Sequence, residues 1–115
     1  MATGEAERAI AHAAVRCAVD DYATRLLATR KDVEEIVVFG SFANGTFAPG
    51  SDIDLFIVLT ASDQPVRDRV PGFLPGAFPV GVDVFPYTRE EMNELAPSPL
   101  LEAVGASSWR YRRER

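Results

Sequence analysis

The sequence predicts an α+β fold, a mixed and mostly antiparallel sheet with helices packed on one side. Three observations predict it. The chain opens with an alanine- and leucine-rich segment, about residues 5–30, that contains neither glycine nor proline and so favours helix. Three short apolar runs follow, at 35–39, 54–59 and 80–85, rich in the β-branched and aromatic residues that suit strands. The first two runs are joined by a small-residue loop in the manner of a hairpin, and the later ones alternate with helical signals. The predicted order is helix, strand, strand, short helix, strand, helix, helix and edge strand.

Each element has a local reason. Ala11, Val15, Val19, Tyr22 and Leu26 recur at helical spacing and predict the buried stripe of the first helix. Glu5 and Glu7 near its start, with Arg25, Arg30 and Lys31 near its end, suit the helix dipole. His12 has no acid or cysteine partner nearby and reads as a surface or structural histidine, while Cys17 reads as a small core residue. Glu35-Ile36-Val37-Val38-Phe39 is the pattern of a strand covered on both faces, and Asp54-Leu55-Phe56-Ile57-Val58-Leu59 is the second strand. Ser62 or Asp63 is placed to cap a short helix with Pro65 near its first turn, ending about Arg69. Pro71-Gly72 and Pro75-Gly76 predict irregular chain beyond it, where Phe73, Leu74 and Phe78 read either as core plugs or as the lining of a base pocket. Val80 to Phe85 is the third strand, with Val80, Val82 and Val84 on one face and Asp83 on the other beside Gly81. Pro86-Tyr87 is read as leaving that strand, and Thr88-Arg89-Glu90-Glu91 as a capping box that opens a helix through Leu95. Ser98-Pro99 starts another helix, Leu100 to about Val104, closed by Gly105. Ser107 to Arg112 alternates as a final edge strand.

Composition narrows the function classes. At 115 residues the chain is expected to be a single domain, 1–115, and 47% hydrophobic with 25% charged residues is ordinary for a soluble protein. No apolar run approaches the ~20 residues of a membrane span, so no membrane association is expected. The N-terminus is acidic and lacks a signal-peptide pattern, and the single cysteine excludes an internal disulfide, so a reducing cytoplasm is expected. A net charge of −5 argues against broad nucleic-acid binding. Arg110, Arg112, Arg113 and Arg115 nevertheless crowd the C-terminus, either as a solvated edge strand guarded by charge or as a tail for RNA or a partner.

The chemistry concentrates in Gly40-Ser41, ten further residues, and Asp52-Ile53-Asp54. Alternation along a strand sends Asp52 and Asp54 to the same side, where two like charges raise each other's pKa unless a cation neutralises them. Carboxylate oxygens suit Mg²⁺, a hard ion usually held by one or two carboxylates plus phosphate oxygens. Gly-Ser at a turn can offer backbone N–H groups and a hydroxyl to a phosphate. Asp83, an acid in the middle of an apolar strand, is costly there unless paired or bound to metal, so it reads as a further metal ligand or as one arm of a salt bridge. Together these residues suggest metal-assisted phosphoryl or nucleotidyl transfer.

The spacing resembles the motif of the nucleotidyltransferase superfamily that includes DNA polymerase beta, and most of all the minimal nucleotidyltransferases (MNT) found as antitoxins beside HEPN toxins. The resemblance spans about residues 33–111, the implied catalytic core following the helix at about 5–30, and it implies the nucleotidyltransferase fold. It implies that Asp52, Asp54 and Asp83 are the catalytic and metal-binding acids, and that Gly40, Ser41, Asn44 and Ser51 bind the nucleotide triphosphate. One or two Mg²⁺ ions, replaceable by Mn²⁺, would act with ATP as donor. Two departures stand out: Asn44 occupies a position where relatives commonly carry arginine, and Ala48 another often basic position. Arg67, Arg69 and Arg89 are the first candidates to supply the missing charge.

The resemblance further implies transfer of AMP to a tyrosine of a partner HEPN toxin, by a chain expected to take its acceptor from another protein. Three rivals stand beside this reading: a small-molecule nucleotidyltransferase acting as a homodimer and resembling the aminoglycoside-modifying enzymes, an antitoxin that works by binding alone, and an ATP sensor without turnover.

Overall fold

The computed structural model describes residues 3–48 and 50–113, and its elements follow the predicted order with one addition. Helix α1 spans Thr3–Thr29, strand β1 Val33–Phe39, α2 Ser41–Asn44, β2 Ile53–Leu59 and α3 Val66–Phe73. Strand β3 spans Val82–Thr88, α4 Arg89–Leu95, α5 Pro99–Ala106 and β4 Arg110–Arg112. The sheet runs β3-β2-β1-β4, with β1 antiparallel to β2 and to β4, and β2 parallel to β3. The added element is α2, a single turn inside the loop between β1 and β2.

Alternation along the central strands sorts apolar side chains to two faces. Ile36, Val38, Ile53, Leu55, Ile57 and Leu59 pack against Val15, Val19, Tyr22, Ala23 and Leu26 of α1 and Phe73 of α3. Val37, Phe39, Phe56 and Val58 form a second cluster with Val104 of α5, against which Met92 of α4 and Leu100 and Leu101 of α5 pack. The α+β class and mixed sheet are as predicted, but helices cover both sides rather than one. The reason is in the strands: β1 and β2 are apolar on both faces, and each face must be covered.

Other expectations are corrected by position. Cys17 is exposed, because the buried stripe runs through Val15, Val19, Tyr22 and Leu26 and residue 17 points away from it. Ala11 shares that stripe's direction but is exposed, with Arg8, Phe42 and Phe47 around the same cleft. Helix α3 continues through Pro71 and Gly72 to Phe73, whose side chain is buried. Leu74 is exposed and Phe78 packs on the core edge, so of the three residues in that segment Phe73 is the core plug. Strand β3 likewise continues through Pro86. It is an edge strand, and the Pro86 carbonyl turns outward to accept from Arg69 Nη1 at 2.9 Å, so the missing N–H costs no ladder bond to β2. Gly105 lies inside α5 rather than closing it.

Of the predicted caps, the one expected from Ser62 or Asp63 does not form, since α3 starts after Pro65 with no side-chain cap, while those of α4 and α5 do. The Thr88 hydroxyl accepts from Glu91 N–H at 3.1 Å while the Glu91 carboxylate accepts from Thr88 N–H at 2.8 Å, and the Ser98 hydroxyl accepts from Leu101 N–H at 3.1 Å. At the other edge, the buried carboxylate of Glu35 holds Arg110 at 3.1 Å and Arg112 at 2.7 Å. Arg113 donates to the carbonyls of Arg30 and Val33. The described part of the basic C-terminal cluster therefore secures β4, and Arg115 lies outside the described residues.

Candidate active site

The site is built where β1 ends. Gly40 follows Phe39 with φ 79° and ψ −152°, a conformation that L side chains rarely adopt, and its carbonyl accepts from the N–H groups of Ala43 and Asn44. The α2 turn is closed at Gly45, also at φ 79°. Phe42 anchors it: the ring is buried and stacks on Phe47 at 4.5 Å with planes 10° apart. Asn44 turns its side chain inward on the loop, accepting from Thr46 N–H at 3.2 Å and from the Thr46 hydroxyl at 2.6 Å. The Ser51 hydroxyl accepts from Ala48 N–H at 2.8 Å and fixes the approach to β2.

The acids arrive on two neighbouring strands. Asp54 of β2 stands opposite Phe39 of β1 and in register with Asp83 of β3. Register in a parallel pair puts both side chains on the same face of adjacent strands, ~4.8 Å apart at the backbone. Both point to the face of Phe39, Phe56 and Phe85, and the cover is incomplete there: Asp54 is half-buried and Asp83 exposed. Asp52, just before β2, is exposed.

Glycines make room for two of the carboxylates. A Cβ on Gly40 would lie 2.5 Å from Asp54 Oδ2, and one on Gly81 would lie 2.9 Å from Asp52 Cγ, both inside any real contact. So Gly40, Asp54, Asp83, Gly81 and Asp52 are brought together at one end of the sheet. Burial pushes the Asp54 carboxyl above the ordinary aspartate range, and the charges of Asp83 and then Asp52 push it the same way.

A cation is the natural remedy for such crowding. Among the described residues no three carboxylate, imidazole or thiol groups are close enough to form a ready metal cage. The paired carboxylates nevertheless fit a hard divalent ion that takes one or two protein carboxylates and completes its shell with water and phosphate oxygens. Asp54 and Asp83 are the residues that would hold it, with Asp52 adjacent.

The predicted substitute cations are not at the loop. Arg69 is buried and committed to Gln64 O, Pro86 O and both oxygens of Glu91; Arg89 pairs with Glu34; Arg67 is exposed beside Asp68. The basic side chain that does reach the loop is Arg8, whose Nη2 donates to Gly45 O and Phe47 O, both at 3.2 Å. Sequence reasoning missed it, since 37 residues separate Arg8 from Gly45 and nothing local marks the contact.

An acid pair beside a glycine turn, able to take a divalent ion, suits metal-assisted phosphoryl transfer. The chain belongs to the nucleotidyltransferase domain family, whose model matches residues 21–98 and so takes in every acid and glycine of the site. A comparison with the curated proteins finds no match. Among solved structures, the crystal structure of a candidate nucleotidyltransferase from Sulfolobus solfataricus is similar over 91% of this chain and 84% of that one, with a TM-score of 0.62 and 19% sequence identity. That likeness is one of fold. Nucleotidyl transfer is the general activity that the family supports, and among the described residues no helix is long and apolar enough to cross a membrane.

Proposed function

We propose that this protein transfers AMP from ATP to a hydroxyl group with Mg²⁺, and that the acceptor is a tyrosine of a HEPN-type toxin that the chain thereby silences. The observation that carries the chemistry is the register of Asp54 with Asp83 beside Gly40. The acceptor is drawn from the resemblance of the Gly40-Ser41 and Asp52-Ile53-Asp54 spacing to minimal nucleotidyltransferases, which also supports the ATP and antitoxin parts of the proposal.

In this mechanism the Gly40-Ser41 turn holds the β- and γ-phosphates through backbone N–H groups and the Ser41 hydroxyl. Asp54 and Asp83 would hold the divalent ion, which when bound would offset the charge of the phosphates and of the carboxylates themselves. Asp83, the more exposed of the pair, accepts the proton of the attacking hydroxyl. The hydroxyl oxygen forms a bond to the α-phosphorus, the bond from that phosphorus to the bridging oxygen breaks, and pyrophosphate leaves. Asp52, against Gly81, would share with Asp54 in holding the ion toward the triphosphate.

A second reading, binding without turnover, is favoured by one observation: Asn44, its amide oxygen held by Thr46, stands where relatives commonly carry arginine and offers the phosphates no charge. Co-expression with a HEPN-type partner and intact mass of that partner tests both readings. An added AMP that disappears with Asp52→Asn, in a variant that still binds the partner, supports transfer. Silencing of the partner with no added mass supports binding alone and refutes the proposal.

A further inference from the structure

One row of residues lies outside the site so far described. Arg8, His12, Arg16 and Asp20 recur every fourth residue and therefore line one face of α1. Each meets a partner beyond the helix. The Arg8 guanidinium lies over the Phe47 ring at 5.4 Å, and the His12 ring sits 5.6 Å from both Phe47 and Trp109. Arg16 lies over Trp109 at 4.6 Å, and Asp20 accepts from the Tyr111 hydroxyl. Of all these residues only Phe47 falls within 21–98, the segment that the family model matches. The row and most of its partners thus lie outside the matched segment, and Phe47 of the loop before Asp52 is the aromatic residue at which they meet it.

That residue is a pivot. Phe47 is buried and stacks on Phe42 of α2. Its carbonyl and that of Gly45 are both held by Arg8 Nη2. The chain runs from Phe47 through Ala48 and Ser51, themselves joined by a hydrogen bond, directly into Asp52. Among the described residues, α1 contributes buried side chains only from Val15 onward, so Arg8 and His12 are what fasten its first half to the body. A guanidinium that bridges two carbonyls while lying against a ring fixes both backbone and side chain of the loop.

We propose that Arg8 is a positioning residue for nucleotidyl transfer: by holding Gly45, Phe47 and the Phe47 ring, it sets the shape of the segment that presents Ser51 and Asp52 to the bound triphosphate. This rests on the reading of the site as a nucleotide site. Arg8 acts through the backbone of the loop and not by touching phosphate.

The test compares the full chain with Arg8→Ala, Arg8→Lys and, as a control on the same helix, Arg25→Ala, whose native side chain among the described residues bonds Asp21 O of its own helix. Hydrogen exchange reads the amides of residues 45–51, and titration reads the affinity for Mg·ATP. Arg8→Ala should lose protection across the loop and bind Mg·ATP about tenfold more weakly, the scale of a lost charged hydrogen bond. Arg8→Lys should recover part of both, and Arg25→Ala should match the wild type. Unchanged affinity in Arg8→Ala overturns the proposal, and so does weakened affinity with the loop still protected, which would make Arg8 a direct ligand. A wild type that binds no Mg·ATP overturns the site reading and this proposal with it, a result recognisable before any variant is measured.

Discussion

At the scale of single residues, Gly81 gives the most selective test of the site. The three atoms nearest a methyl group there all belong to the carboxylate of Asp52, an exposed side chain, and no backbone atom is among them. Gly81→Ala should therefore displace Asp52 and lower nucleotidyl transfer at least about tenfold, while the melting temperature stays within about 2 °C of the wild type, as for a surface substitution. Gly40 differs in kind. Its positive φ and its contact with Asp54 make any side chain costly to the fold as well as to the site, so Gly40→Val should lose both stability and nucleotide binding. The spacing of Gly40 to Asp54 is plain in the sequence, whereas the reason for glycine at 40 is clearer in three dimensions: the residue makes way for a carboxylate as well as for phosphate.

Asp54 carries a pH dependence with a definite sign. Its folded pKa lies above the unfolded one, first through burial and then through Asp83 and Asp52. The folded state thus holds its proton more tightly, and the stability this gives is present at low pH and lost as pH rises through the folded pKa. At neutral pH the ionised Asp54 works against the fold. Asp54→Asn should accordingly raise the melting temperature at pH 7, lose that advantage in acid, and abolish transfer. Thermal melts at the two pH values check all but the last, and a lower melting temperature at pH 7 would contradict the account of the pair.

At the scale of elements, one ion pair joins three of them. Arg69 of α3 donates to Glu91 of α4 at 2.6 and 2.9 Å and to the Pro86 carbonyl of β3 at 2.9 Å, with its side chain only 3% exposed. Arg69→Ala removes these charged hydrogen bonds and leaves the partly exposed Glu91 without its partner, so it should cost about 1.5–3 kcal/mol in denaturant melts. The Arg69 hydrogen bonds hold the Glu91 carboxyl down to about 2, and Thr88 N–H assists them. A depressed carboxyl stabilises above its unfolded pKa, so this contribution should fade as pH falls from ~4.5 toward 2. In the Arg69→Ala variant that part of the acid profile should flatten.

The same elements show what could be read in advance. Both caps, Thr88 with Glu91 and Ser98 with Leu101, were legible because they are local chemistry written in adjacent residues. The end of α3 was not, because the contacts of Arg69 with Pro86 and Glu91 and the burial of Phe73 carry the helix through Pro71-Gly72. Pro86 looked like a strand end until its strand proved to be at the sheet edge with its outward side bonded to Arg69. Propensity describes the residue, and these outcomes depend on what packs against it. The row from Arg8 to Asp20 was unreadable for the same reason: its partners Phe47, Trp109 and Tyr111 are far away in the chain.

At the scale of the whole molecule, the core and the site have opposite requirements. The central strands bury side chains on both faces, yet the end of the sheet that bears Asp54 and Asp83 is left partly uncovered with two like charges abreast. Binding that relieves the repulsion must then stabilise the entire fold by mass action. Mg·ATP at a hundred times its dissociation constant should add about 2.7 kcal/mol, read as a rise in melting temperature that neither Mg²⁺ nor ATP alone reproduces. Asp54→Asn should show no such rise despite its higher starting point.

The facing pair of aspartates also has a meaning for the history of the chain. A single nucleotide change turns an aspartate codon into an asparagine codon, and at residue 54 that change relieves the folded protein of a charge it holds unwillingly. Mutation alone would therefore run downhill, toward a sturdier and inert descendant. Only a demand for what the two carboxylates do together opposes that drift, and a lineage in which the demand lapsed should record its release first at residue 54.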